Sequence, residues 1–122
     1  MSATAILVQK FLEKLFPSKP FKQVFCEYYV NYRGYRLFFD FYIKKIDVFV
    51  EVQGRQHIEF VKHFHGGRKT FLQQRERDNL KRIWVEENGH RLIRLYDTEK
   101  ITEDLILDKI MKAMDSEDEF CE

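Results

Sequence analysis

Residues 38–57, FFDFYIKKIDVFVEVQGRQH, decide the fold of this chain. The segment sets Asp40 and Glu51 at the ends of two short apolar strands, and then adds Gln53, Gly54 and His57. A carboxylate among Phe, Val and Ile side chains is costly unless another group pairs with it. Where two carboxylates converge, a divalent metal ion is the usual partner. The segment therefore predicts two β-strands that carry a metal site.

The composition predicts one globular domain. The chain has 122 residues, which is enough for a single hydrophobic core. Aromatic residues make up 16% of it, which argues against disorder. Its two cysteines, Cys26 and Cys121, fit a reduced cytoplasmic protein better than a disulfide scaffold. We expect one domain over residues 1–114 and an acidic, frayed tail at 115–122. We expect no signal peptide and no membrane span, since no apolar run approaches about 20 residues.

The net charge of +1 conceals an uneven distribution. Residues 1–96 hold 18 Lys and Arg against 10 Asp and Glu, whereas residues 97–122 hold 3 against 10. A basic body with an acidic end suits a nucleic-acid partner. An ordinary domain with uneven surface charge is one alternative, and an acidic end that docks a basic protein is another.

Hydrophobic spacing predicts an α/β (α+β) fold with the order α-β-β-β-α-β-α, in which helices flank a small mixed four-stranded sheet. Helical spacing of apolar residues indicates the helices, and apolar runs bounded by turn residues indicate the strands. Asn88-Gly89 is a typical end for the second helix. The predicted helices cover residues 4–16, 68–87 and 102–114, and the predicted strands cover 24–30, 35–43, 47–53 and 91–96.

The candidate metal ligands lie on two of these strands. Because side chains alternate along a strand, Glu51 and Gln53 point to the same face. If Asp40 ends the neighbouring strand near this point, two carboxylates and a carboxamide converge. Completed by water and a phosphate oxygen, they are suitable ligands for Mg²⁺ or Mn²⁺. Such a metal lowers the pKa of bound water and stabilises charge on a phosphate during in-line attack.

Flanking residues suit proton transfer at the same place. Gly54 permits close approach of a phosphate, and the imidazole of His57 is able to accept or donate a proton. Asp78 lies three residues before Lys81 on the long helix, so both share one face. There Asp78 is a candidate to orient His57 or to hold a second metal.

Basic residues near these positions are candidates to contact backbone phosphates. They are Arg55, Arg77, Lys81 and Arg82. Taken alone, the helical ones form a solvated face, and Asp78 is then an intrahelical partner of Arg75 or Arg82.

The other candidates also have structural interpretations. Asp40 is able to cap a turn, and Glu51 is able to form an ion pair with Lys81. His57 has the structural interpretation of an ordinary histidine in a loop. Their combination within one segment favours the metal site over these separate roles.

Two further histidines, His63 and His65, suggest zinc. Because no two cysteines lie at ligand spacing, a structural zinc site is disfavoured. Cys26 is best explained as a core thiol.

Together these elements resemble the PD-(D/E)XK nuclease superfamily. The elements are FDFYI, a short gap, VEVQGRQH, a Gly-Gly loop, RDNLKR, Asn-Gly and LIRL. Within the superfamily they look like the branch of very-short-patch-repair-like endonucleases and phage homing endonucleases with an EDxHD signature. The similarity covers residues 27–96. It implies a restriction-endonuclease-like core, metal-dependent hydrolysis of DNA, and a location in the cytoplasm of a bacterium or a phage-infected host cell.

The resemblance also implies a role for each candidate. Asp40 matches the superfamily's metal-binding aspartate, and Glu51 matches the first position of its (D/E)XK pair. Gln53 stands where lysine is usual. His57 matches the family's histidine after the glycine, and Asp78 matches the acidic residue of the following helix.

A further family glutamate comes from the N-terminal part, where Glu13 and Glu27 are both candidates.

The main departure from the family is Gln53. Glutamine is able to ligate a metal or orient water, but it cannot act as a charged base. The loss of one charge is expected to weaken metal affinity.

Two functions follow from this pattern. The first is a DNA endonuclease that either recognises a junction, flap or mismatch or makes nicks, because no DNA-reading module is appended to the core. A homodimer with two active sites is one form of such an enzyme. The second is a catalytically inactive nucleic-acid-binding module that kept the nuclease fold.

Overall fold

The computed structural model describes residues 1–54 and 67–120, together with the side chains of residues 1–54 and 67–115. Its elements follow the predicted order α-β-β-β-α-β-α. They are α1 (Ala3–Leu15), β1 (Val24–Tyr32), β2 (Tyr35–Ile43), β3 (Val48–Gln53), α2 (Arg68–Glu87), β4 (Arg91–Tyr96) and α3 (Glu103–Phe120). Within the described residues, no helix is both long and apolar enough to cross a membrane.

The four strands form one mixed sheet in the order β1-β2-β3-β4. The pairs β1–β2 and β2–β3 are antiparallel, whereas β3 and β4 are parallel. Parallel neighbours need a long crossover, and α2 lies within the connection between β3 and β4. The predicted mixed sheet flanked by helices is therefore confirmed.

Two element boundaries differ from the prediction by more than one residue. β1 runs on to Tyr32, and the hairpin closes through Arg33 and Gly34, both at positive φ (51° and 82°). A two-residue turn with two positive φ angles matches the twist of the flanking strands. α3 continues past the predicted end at Met114 to Phe120, because no Gly or Pro interrupts the intervening acidic residues. The frayed tail at 115–122 stays a prediction.

The sheet packs against helices on both faces. On one face, α1 and α3 cover an apolar cluster that includes Val48 and Val50 of β3. On the other, α2 covers a second cluster around Phe49. Because Val48, Phe49 and Val50 alternate along β3, the two clusters lie on opposite faces of the sheet. They are called the α1/α3 face and the α2 face below.

Strand β2 changes face at Asp40. Leu37 and Phe39 pack on the α2 face, whereas Phe41 and Ile43 pack on the α1/α3 face. Four side chains at spacing two would share one face of a regular strand. Glu27 of β1 lies opposite Asp40 and has a left-handed backbone (φ 51°). The Glu27–Asp40 pair is missing from the otherwise continuous pairing of β1 with β2. The hairpin is therefore locally distorted at the position of the predicted metal-binding aspartate.

Candidate active site

Asp40 and Glu51 meet where strands β2 and β3 separate. The regular pairing of these strands ends at Phe41–Val50. Beyond it, the backbone N–H of Asp40 donates to Glu51 Oε1 at 3.1 Å. The N–H of Val52 donates to Asp40 Oδ2 at 2.7 Å. Side-chain carboxylates thus take the place of backbone carbonyls in the ladder, which brings the two predicted metal ligands together.

Glu51 is a buried carboxylate with one cationic partner. The residue is 3% exposed, and its Oε2 accepts a hydrogen bond from Lys81 Nζ at 3.1 Å. Burial raises the pKa of Glu51 to about 7, because the negative charge of Asp40 adds to the desolvation while the ammonium of Lys81 only partly offsets it. The carboxylate therefore changes its charge near neutral pH, as expected for a group in a functional site.

Lys81 lies inside the site. Its side chain is 12% exposed, and its Nζ also lies 5.7 Å from the centre of the Phe39 ring. The ion pair with Glu51, one of the two interpretations of these residues, is present. A contact between Lys81 and a DNA phosphate stays a prediction, and the ammonium donates to Glu51.

Gln53 ends strand β3 on the same face as Glu51, as predicted. It is 4% exposed, and its Nε2 has no hydrogen-bond partner among the described residues. An unpaired buried amide nitrogen is costly, and the same amide carries an oxygen that is able to accept or to ligate a metal. Two carboxylates with one amide oxygen are compatible with Mg²⁺, which commonly takes one or two protein carboxylates and retains water.

Asp78 lies beside this group, at a small cavity of about 250 Å³ between α2 and the carboxyl ends of β3 and β4. The cavity is lined by Gln53, Arg75, Asp78, Asn79, Arg82, Arg94 and Tyr96. The backbone carbonyl of Asp78 accepts a hydrogen bond from Arg94 Nη2 at 2.8 Å. We call this cavity the arginine pocket.

The remaining predicted basic residues are placed differently. Arg82 lines the arginine pocket and also contacts Glu86 (3.1 Å) and Asn79 Oδ1 (2.9 Å). Arg77 is exposed on α2. Arg55 and His57 lie outside the described residues, as do the two histidines considered as zinc ligands, His63 and His65.

The two N-terminal glutamates lie near Cys26. Glu27 is exposed and stands across from Asp40 in the hairpin, and Glu13 is exposed on α1. The thiol of Cys26 packs at the edge of the α1/α3 core. Burial is the main cause that raises the pKa of this thiol, and the negative charge of Glu13 raises it further. The described residues contain no group of three or more Asp, Glu, His or Cys able to hold a metal. The role of Glu13 or Glu27 as a further residue of the site stays a prediction.

Arg94 is the site residue that sequence reasoning missed. It lies directly across from Glu51 in the parallel pairing of β3 and β4. Its signal was a single charged residue in the apolar strand LIRLY, the same kind of signal that singled out Glu51.

Comparisons with known proteins identify viral relatives. The chain is 43% identical to Uncharacterized protein 094L of Frog virus 3 (isolate Goorha) over 68 residues, which is 55% of this chain and 44% of that protein. It is 37% identical to Uncharacterized protein 307L of Invertebrate iridescent virus 6 over 67 residues, which is 55% of this chain and 34% of that protein. The chain thus matches less than half the length of either relative. No protein-family model matches it, and no solved structure matches it.

Proposed function

We propose that this chain is a divalent-metal-dependent DNA endonuclease that hydrolyses phosphodiester bonds. The observation that carries the proposal is the convergence of Asp40 and the buried Glu51 at the point where β2 and β3 separate. The stability of the fold gives little reason to bury a carboxylate there, because a well-packed apolar residue would cost less. A site that binds a metal cation explains why a carboxylate is buried at this point.

Asp40, Glu51 and the amide oxygen of Gln53 would hold Mg²⁺ or Mn²⁺. When bound, the metal supplies a water of lowered pKa and stabilises charge on the phosphate. The chain's own contribution is to orient the ligands: the Val52 N–H fixes Oδ2 of Asp40, and the Asp40 N–H fixes Oε1 of Glu51.

Lys81 would supply the positive charge that Gln53 lacks. The nucleases that the sequence resembles have lysine where this chain has Gln53, whereas here the ammonium of Lys81 reaches Glu51 from helix α2. With Glu51 as a metal ligand, Lys81 would lie beside the site with three N–H donors for a phosphate or a water. Roles for His57 and Asp78 in proton transfer, and for Arg55 and Arg77 in phosphate contacts, belong to the same proposal.

The proposed substrate is DNA of unusual shape, such as a junction, flap or mismatch, or duplex DNA that is nicked. A homodimer would serve a two-strand substrate. The proposed setting is the cytoplasm of a bacterium or an infected host cell, and the viral relatives support the second. These relatives are longer than the match, so specificity from further segments is compatible with the proposal.

The second candidate is a nucleic-acid-binding module without catalysis. Two observations favour it: Gln53 is uncharged, and Glu51 already has an ion-pair partner in Lys81. Both functions include binding of nucleic acid, and only the endonuclease cleaves it.

The test is cleavage of labelled branched, mismatched and plain duplex DNA in Mg²⁺, Mn²⁺ or EDTA. We expect metal-dependent cleavage that falls at least about 10²-fold in Asp40→Asn and Glu51→Gln, while DNA binding is retained. Glu99→Gln is the matched control, because Glu99 also pairs with a partly buried lysine, Lys109, at 2.8 Å. Binding without cleavage of any substrate by the wild type would replace the nuclease with the binding module.

A further inference from the structure

The arginine pocket contains two buried donors without acceptors. Gln53 lines the pocket, and its buried Nε2 has no partner among the described residues. Arg94 Nε is also buried without a partner there, although Nη2 of the same guanidinium is held by the Asp78 carbonyl. Each unpaired buried donor costs free energy unless a ligand supplies an acceptor.

The charge of the pocket specifies the kind of acceptor. Three arginines and one aspartate line it. The guanidinium of Arg82 is oriented by Asn79 Oδ1 at 2.9 Å. Planar guanidinium groups arranged around a small space are suited to an anion with several oxygen atoms, and phosphate is the common case.

The position of the pocket links it to the carboxylate pair. Gln53 follows Glu51 by two residues on the same face of β3, a separation of about 7 Å. Arg94 lies across from Glu51 on the neighbouring strand. The pocket therefore begins within about one nucleotide of the carboxylate pair, and Gln53 borders both.

We propose that the arginine pocket binds a phosphate group of the nucleic acid adjacent to the phosphate that is cut. The inference rests on the proposed function for its choice of nucleic acid, whereas phosphate binding itself follows from the pocket. The bound phosphate would set the register of the strand against Asp40 and Glu51. Gln53 and Arg94 act here as positioning residues.

The first experiment uses inorganic phosphate as the probe. The ¹⁵N-labelled protein in EDTA is titrated with phosphate, and the NMR signals of the Gln53 side-chain amide and the Arg94 Nε–H are followed. We expect a saturable downfield shift of both signals that chloride at equal ionic strength does not produce. The absence of a saturable shift, or an equal shift with chloride, would overturn the proposal.

Variants then test which residues bind the ion. Arg94→Gln and Gln53→Met should each weaken phosphate binding about tenfold, because each removes a donor to a charged acceptor. Arg36→Gln removes an exposed arginine of β2 that lies outside the pocket and should leave binding unchanged. Well-dispersed spectra of all three variants confirm folding, and equal affinity in all three would contradict the pocket.

DNA substrates distinguish an internal phosphate from a terminal one. The Asp40→Asn protein, with and without Arg94→Gln, is titrated with intact duplex and with nicked duplex that bears a 5′-phosphate or a 5′-hydroxyl. An equal loss of affinity with all three DNAs on adding Arg94→Gln identifies an internal diester, and a loss confined to the 5′-phosphate identifies a terminal group. If Arg94→Gln weakens none of them, the pocket is not a nucleic-acid phosphate site.

The failure of this inference is distinguishable from the failure of the nuclease proposal. Metal-dependent cleavage together with no phosphate effect on Gln53 and Arg94 would overturn the pocket alone. Saturable phosphate binding by a protein that cuts no DNA would overturn the nuclease alone.

Discussion

The two faces of the sheet are built on different principles. The α1/α3 face is apolar along the described strands, with Phe41, Val50 and Leu95 in one continuous cluster. The α2 face is apolar only toward the hairpin, around Phe39 and Phe49, and becomes polar toward the carboxyl ends of β3 and β4. The first face accounts for stability. The buried polar groups at the end of the second face lower the stability of the fold, and we propose that they are kept for the metal site.

Removing a ring from the apolar face should cost the most stability. Phe41 is fully buried there, so Phe41→Ala should lower the free energy of unfolding by about 3–5 kcal/mol, measured by urea denaturation. Phe38→Ala is the matched control, because Phe38 lies on the same strand and is exposed. A comparable loss in Phe38→Ala would contradict the assignment of the two side chains to core and surface.

On the polar end, removing Lys81 should destabilise the protein in a pH-dependent way. Lys81→Met leaves the buried Glu51 without its cation, which costs about 3 kcal/mol when the carboxylate is charged. We expect most of the loss at about pH 8 and much less at about pH 5.5, where Glu51 is protonated. The double variant with Glu51→Gln should recover the stability. An equal loss at both pH values would mean that Lys81 acts through packing.

The wild-type protein should lose stability as the pH rises through the titration of Glu51. Its pKa is about 7 in the folded protein and 4.5 in its ordinary state, so between these values the folded protein holds a proton that the unfolded chain has lost. The free energy of unfolding therefore falls between about pH 4.5 and 7, by on the order of 1–3 kcal/mol, and levels off above. Asp47 and Glu99 have lowered pKa values, so their protonation reduces the free energy of unfolding as the pH falls. This effect is confined to pH values below the titration of Glu51.

Denaturation at a series of pH values measures this slope. Glu51→Gln should flatten it, whereas Glu99→Gln should leave it in place. A slope that survives in Glu51→Gln would assign the titration to another group.

The smallest change is expected on the outer surface of α2. Glu86 pairs with Arg82 at 3.1 Å, and both side chains are largely exposed. Glu86→Gln should alter the free energy of unfolding by no more than about 0.5 kcal/mol. It should also tighten DNA binding slightly, because it removes a negative charge beside the arginine pocket, and fluorescence anisotropy measures this change. Weaker binding would show that Glu86 positions Arg82 for the ligand.

Most of the fold could be predicted because its signals are local. Apolar runs bounded by turn residues define β2 and β3, Asn88-Gly89 ends α2 at the predicted place, and the order of elements follows. The end of α3 was predicted too early, since a charged stretch without Gly or Pro is able to continue a helix.

The site could be predicted best where it lies within a strand pair, and the ion pair of Glu51 with Lys81 was one of two interpretations of those residues. The meeting of Asp40 and Glu51 follows from the strand pattern together with one turn. The approach of Lys81 and Arg94 depends on which side of α2 faces the sheet and on the register of a parallel pair. Local spacing does not encode these arrangements, because they arise from packing between distant segments.

The most direct test of the central claim is calorimetric titration of the protein with Mn²⁺ at about pH 7, in two buffers of different ionisation enthalpy. We predict one saturable site, with release of about half a proton for each metal as Glu51 loses its proton. Asp40→Asn and Glu51→Gln should weaken binding at least about tenfold, and Glu99→Gln should not. Equal affinity in all four proteins, or no saturable binding to the wild type, would contradict a metal site at the polar end of the α2 face.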